Sequence, residues 1–294
     1  MSFDPLILSS IDLELELNPS LGGAISRFSY VAERERRSIL RESHTPLENV
    51  LDAPSFPLVP FVNRVRDGAF RFRGRTISLQ PNMAGDPSPL HGQGWLNPWT
   101  VEESGQSEAL LVYRHESGEW PWAYEAKQRF RVEPGALWMR LSCRNMSDEP
   151  MPCGLGQHPY FPCTTRTRIE TNVSHVWTID DKVLPVDKVP ATDRYDLSDR
   201  LICGQDLDHG FGGWSGRVLI DDPEWPYELE LSSPEARFFQ IYSPASGGFF
   251  VAEPVSHANA ALNALESEWL ELGLRVLEPG EEMRLDMRLE VRVK

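Results

Sequence analysis

The sequence contains no apolar run approaching the roughly 20 residues that a membrane-spanning helix requires. Its first residues, Met1 to Leu17, carry no basic region, and acidic residues interrupt the apolar stretch too early for a secretory leader. Helical periodicity is scarce, and Ser256–Leu265 is the main segment that suggests a short helix. Basic residues are in deficit. Against 29 Lys and Arg stand 44 Asp and Glu, a net charge of −15, which argues against nucleic acid or an anionic membrane as the main partner. Cysteine is sparse as well. Cys143, Cys153, Cys163 and Cys203 form no CxxC pair and no zinc-finger spacing. Four in 294 residues do not make a disulfide scaffold, so reduced thiols in a cytoplasmic protein are expected. A Walker A loop, a GxGxxG after a strand and a His-x-x-x-His zinc pair are all missing. The stretch Asp206-Leu207-Asp208-His209-Gly210 begins like a calcium loop but has no glutamate at the twelfth position.

What the sequence does have is period-two alternation. From Ile11 to Leu17 every odd residue is apolar and every even one acidic, and Leu285, Met287, Leu289, Val291 and Val293 alternate with charged residues. Successive strand side chains point to opposite faces, so each segment predicts a strand with one buried and one wet face. Further strands are expected at Leu110–His115, Tyr124–Val132, Leu137–Arg144, Tyr227–Leu231 and Phe238–Tyr242, with a hairpin over Ala69–Leu79 turning at Gly74. The 24 prolines and 21 glycines are spread along the chain without marking a linker. The expectation is one all-β domain over residues 1–294, an antiparallel sandwich or barrel with few short helices.

Several polar residues sit in apolar, glycine- or proline-rich surroundings. Asn63-Arg64 follows Phe56-Pro57-Leu58-Val59-Pro60-Phe61-Val62, and is either a hydrogen-bond clamp at a strand end or a fork for ligand hydroxyls. His91, in Leu90-His91-Gly92, fits a pocket wall or a structural imidazole equally. His158 precedes Pro159, Tyr160 and Phe161, which suggests a fixed imidazole beside an apolar wall. Glu253 directly follows four apolar residues, where a carboxylate needs a partner or a task unless the strand has simply ended. Gln240 interrupts the apolar strand Phe238–Tyr242. Trp95, Trp99, Trp120, Trp122 and Trp214 lie near turns, where aromatics stack on sugars or fill a core. Composition and spacing end at a soluble acidic β protein with a pocket suited to a polar, uncharged ligand.

Taken in order, the motifs resemble those of the aldose 1-epimerase (galactose mutarotase) family along most of the chain. The segments concerned are Pro60–Val65, Leu90-His91-Gly92, Gln157-His158-Pro159-Tyr160-Phe161, Leu207–Phe211, Phe239–Tyr242, and Ala252-Glu253-Pro254 with Asn259 and Asn263. The resemblance implies a large β-sandwich with an open cleft on one sheet, a monosaccharide as substrate, and neither cofactor nor metal. It implies Glu253 as general base, His158 as general acid, and Asn63, Arg64, His91, Asp208 and Gln240 as sugar-binding residues, with Asp206 as the alternative to Asp208. Ala-Glu-Pro replaces the Leu-Glu-Thr of the galactose-acting branch, which points to a different bacterial branch. A sugar binder without turnover and a hexose-6-phosphate epimerase are the competing expectations. The latter would need a phosphate site from residues such as Arg66, Arg71, Arg73 and Arg75. Oligomeric state is expected to be monomer or homodimer.

Overall fold

The computed structural model describes residues 5–32, 35–43 and 46–294. Met1 to Asp4, the head of the stretch that shows no leader pattern, lie outside these residues. Among the described residues no helix is long and apolar enough to cross a membrane. Two large antiparallel sheets dominate, one of nine strands and one of eight. The nine-stranded sheet has the long C-terminal strand Glu282–Val293 near its middle, between Tyr227–Ser232 and Ala136–Asn145. A four-stranded N-terminal sheet begins with Leu6–Ser9 and Leu13–Asn18.

The alternating segments form strands as expected, for the expected reason. Leu13, Leu15 and Leu17 are buried in the core, while Glu14 and Glu16 lie on the opposite face and pair with Arg27 at 3.1 and 2.7 Å. Leu285, Met287, Leu289 and Val291 are buried in the same way. Each such side chain contributes about 1.5–3 kcal/mol relative to exposure. The two large sheets close on one apolar core, to which Leu229, Leu289 and Met139 contribute from the first, and Phe211, Phe239 and Ile241 from the second. Trp214 stacks on Phe239 with ring centroids 4.6 Å apart. The hairpin Ala69–Phe72/Arg75–Ser78 turns through Arg73 and Gly74, both at positive φ.

Two expectations are corrected and one open alternative is decided. The helix expected over Ser256–Leu265 is not formed. Ala260 takes a left-handed conformation and only single 3-10 turns follow, Ala261–Asn263 and Glu266–Glu268. Asn263 explains part of this, since its side chain is bound to the backbone of Arg66 and Ala69. The five tryptophans named above are all buried, so the core reading holds for them and none lines the cleft described below. The four cysteines are not all free thiols. Cys163 and Cys203 are disulfide-bonded across a separation of 40 residues, which ties the end of Tyr160–Pro162 in the eight-stranded sheet to the segment after Arg200–Leu201 in the nine-stranded sheet. Cys143 and Cys153 are buried and free.

Candidate active site

Three neighbouring strands of the eight-stranded sheet, Leu207–Gly212, Phe238–Ser243 and Phe249–Val255, build the floor of a cleft of about 380 Å³. Alternation turns Phe211, Phe239, Ile241 and Ala252 into the core. Asp208, Gln240 and Glu253 therefore fall on the outer face. Register does the rest, since Gly210 stands opposite Gln240 and Gln240 opposite Glu253. A Cβ on Gly210 would come within 3.1 Å of Gln240 Oε1. With glycine there, the Gln240 amide leans along the sheet and donates to Asp208 Oδ1 at 2.8 Å. Burial pushes the Asp208 carboxyl up, while Arg64 and the Gln240 amide oppose that rise.

His158 follows the short strand Gly156–Gln157 and is anchored by its own N–H, which donates to Phe56 O at 3.1 Å. Its ring stacks on Phe56 at 4.5 Å, packs on Tyr160 at 4.7 Å and meets His91 edge-on at 5.5 Å. His158 Nε2 lies 3.3 Å from Glu253 Oε1. That is the separation of an ion pair, yet both groups are buried in apolar and aromatic surroundings. Desolvation holds Glu253 well above the usual carboxylate range and lowers His158 to about 3. The uncharged couple, a protonated carboxyl against a neutral imidazole, is the form this environment favours.

Asn63 and Arg64 are held by a network that spans the chain. Asn63 and His91 both take left-handed backbone conformations, an energetically costly geometry that surrounding bonds must hold. The Asn63 N–H donates to His91 Nδ1 at 3.0 Å, and the His91 N–H donates back to Asn63 O at 3.0 Å. Accepting at Nδ1 places the neutral imidazole proton on Nε2, as a donor. Burial lowers the His91 pKa, and His158 and Arg64 add to that effect. Arg64 donates from Nε to Asp86 at 2.8 Å and from Nη1 to Asn63 Oδ1 at 3.2 Å. Asn259 and Asn263 receive the backbone N–H groups of Arg64 and Arg66, so both are clamps for this segment. His257 Nε2 accepts from the Val62 N–H at 3.0 Å. Its ring lies so close to Gly154 that a Cβ there would sit 1.9 Å from His257 Cδ2.

A buried carboxyl against an imidazole, ringed by polar side chains on the outer face of a β-sandwich, agrees with a further finding. The family model for aldose 1-epimerase matches residues 18–290. The chain belongs to the aldose 1-epimerase family. It is 35% identical over 251 residues to the uncharacterized protein YphB of Escherichia coli K12, covering 82% of this chain and 84% of that protein. The crystal structure of a candidate aldose 1-epimerase from Escherichia coli K12 superposes with a TM-score of 0.90 at 32% identity, covering 99% of each chain. A galactose mutarotase-like protein from Clostridium acetobutylicum superposes at 0.82 with 18% identity, covering 98% of this chain and 95% of that one, and shares the fold.

All seven residues that the family resemblance singled out, namely Asn63, Arg64, His91, His158, Asp208, Gln240 and Glu253, line this one cleft. Asp206 does not. It lies in a neighbouring hollow that shares Asp208 and Tyr242 with the cleft. The arginines considered for a phosphate site are also elsewhere. Arg66 binds Pro185 O, Arg75 pairs with Glu149 and Arg73 with Glu278, and neither these three nor Arg71 lines the cleft. Sequence reasoning missed Asp86, which reads only as part of a Gly-Asp-Pro turn, and Arg41, which follows an apolar pair with no recognisable motif. Both are tied to the site solely by tertiary contacts.

Proposed function

We propose that the protein is a mutarotase, which interconverts the α and β anomers of an aldose by opening and reclosing its ring. The observation that carries this reading is the Glu253–His158 pair, 3.3 Å apart on the floor of a cleft lined by hydroxyl-binding side chains. A binder without turnover needs neither an acid nor a base, whereas the reaction needs both within hydrogen-bond reach of one substrate.

Glu253 takes the proton of the C1 hydroxyl while His158 gives one to the ring oxygen. The C1–O5 bond breaks and a carbonyl forms at C1. Rotation about C1–C2 presents the other face of the aldehyde, and reclosure returns both protons. The starting state must hold an ionised Glu253 and a protonated His158. That state carries the same number of protons as the uncharged couple and differs by one transfer between Oε1 and Nε2. Sugar hydroxyls entering the cleft supply the polar partners that make the charged tautomer accessible. The Nε2–H of His91, the Arg64 guanidinium, and the Asp208 and Gln240 side chains orient the ring. Asn63 acts mainly through Arg64, to which its Oδ1 is bound.

Polarimetry of freshly dissolved α-D-glucose and α-D-galactose tests the reading. The wild type is expected to accelerate the approach to equilibrium with at least one of them. Glu253→Gln is expected to lose about 10²–10⁴-fold of that acceleration. Equal rates for wild type and variant, with either sugar, would overturn the assignment of Glu253.

A further inference from the structure

Arg41 lies against the cleft and has no counterion in the mechanism above. Its guanidinium stacks over the Tyr160 ring at 3.8 Å and reaches Phe249 at 5.0 Å. One terminal nitrogen, Nη2, donates to Leu51 O at 2.8 Å and Ala53 O at 3.2 Å, which fixes the plane of the group. Nε and Nη1 have no acceptor among the described residues. The other cleft arginine differs, because Arg64 is paired with Asp86 at 2.8 Å. No carboxylate lies within ion-pair distance of Arg41 among the described residues. Asp52 acts on it electrostatically but is exposed. Burial already works against the charge on Arg41. A chain of net charge −15 therefore holds at its cleft a half-buried, pre-oriented cation that has no ion-pair partner among the described residues.

Position identifies which part of a substrate it faces. Tyr160 packs between Arg41 and His158, so Arg41 is on the His158 side of the cleft. Asp208 lies on the other side of Glu253, across the strand Phe238–Ser243. On the reading proposed above, His158 serves the ring oxygen. The carbon bonded to that oxygen on the side away from C1 is C5, and its exocyclic substituent is the group nearest Arg41.

We propose that Arg41 is a specificity residue for an anionic substituent on C5, and that the preferred substrate is an aldose carrying a carboxylate there, a hexuronic acid. One guanidinium matches one negative charge. A phosphate dianion would leave its second charge uncompensated beside Asp52. The inference rests on the mutarotase reading for its placement of the ring oxygen.

The test compares D-galacturonate with D-galactose, and D-glucuronate with D-glucose, by polarimetry or proton NMR. Glucose 6-phosphate is run alongside. The expected result is a kcat/KM for the uronate roughly tenfold or more above that of its neutral partner. Arg41→Gln is expected to lower that ratio by about tenfold, and Arg41→Lys to restore part of it and keep its dependence on salt. An unchanged ratio in Arg41→Gln overturns the proposal, and so does preference for the 6-phosphate over the uronate. If no sugar is accelerated, the mutarotase reading fails separately. Calorimetric titration of galacturonate and galactose into wild type and Arg41→Gln then decides the carboxylate assignment, which falls if the two sugars bind alike.

Discussion

Replacing Glu253 by glutamine is expected to stabilise the fold, increasingly so as pH rises, while abolishing the proposed activity. Unfolded Glu and His titrate near about 4.3 and about 6.5. In the fold, burial raises Glu253 well above its ordinary value and lowers His158 to about 3. Between about pH 4.3 and 6.5 the unfolded pair carries its one proton on histidine, while the folded pair carries one on glutamate. Proton counts match, so the pair makes no contribution to the pH dependence of stability there. Above about pH 6.5 the unfolded pair has lost its proton, and over the range in which burial keeps the proton on Glu253 in the fold, stability falls at about 1.4 kcal/mol per pH unit. That loss continues until Glu253 ionises in the fold. Below about pH 4.3 the unfolded pair gains a second proton, and stability falls on that side too.

Glutamine removes the glutamate's contribution and leaves the histidine's. The difference between Glu253→Gln and wild type should therefore grow by about 1.4 kcal/mol per pH unit above about pH 4.3. At this chain length that corresponds to about 2 °C in Tm per pH unit. Other groups shared by the two proteins cancel in the difference. The assay is differential scanning calorimetry of both proteins from pH 5 to pH 8. A Tm difference independent of pH would refute the argument. A variant that loses stability relative to wild type as pH rises would mean that Glu253 is an ionised, paired carboxylate in the fold.

Other expectations follow from single contacts. Asp86→Asn removes the ionic partner of Arg64 and should lower kcat/KM for the preferred sugar by roughly tenfold, as read by polarimetry. Gly154→Ala forces a Cβ into the His257 ring that holds the Val62 N–H, and should cost about 1–3 kcal/mol in urea unfolding, where an unchanged midpoint would contradict the close contact. Thiol titration of the denatured protein should count two thiols before reduction and four after, and Cys163→Ser should cost about 4 kcal/mol for a loop spanning 40 residues. Finding four thiols without reductant would remove the Cys163–Cys203 bond.

Strands were legible wherever one face is wet and the other dry. Leu13–Asn18 and Glu282–Val293 alternate because a pleat exposes every second residue, and that rule acts within a single strand. The site residues were legible differently. Gln240 and Glu253 stand out as polar residues in apolar runs, since burying them has a cost that sequence alone reveals. Composition by itself did not assign them a role; the order of the motifs did, through their likeness to one family. The expected helix at Ser256–Leu265 failed because apolar spacing cannot register a side chain such as Asn263 that is bound to a segment almost 200 residues earlier.

The sequence alone determined the β class and the acidic balance, because both depend on residue type and local order, and the order of its motifs singled out the candidate site residues through their likeness to one family. Only the tertiary structure decided that Asp208 rather than Asp206 faces the cleft: a regular strand would put both on one face, but Asp206 precedes Leu207–Gly212 and takes a left-handed conformation. Only it joined Cys163 to Cys203, paired Arg64 with Asp86, and set Arg41 beside Tyr160 with no counterion among the described residues. Register, not composition, puts Gln240 across from Glu253 and leaves Glu253 against His158. Charge states in such a place depend on what surrounds each group, and those surroundings exist only once distant segments have packed.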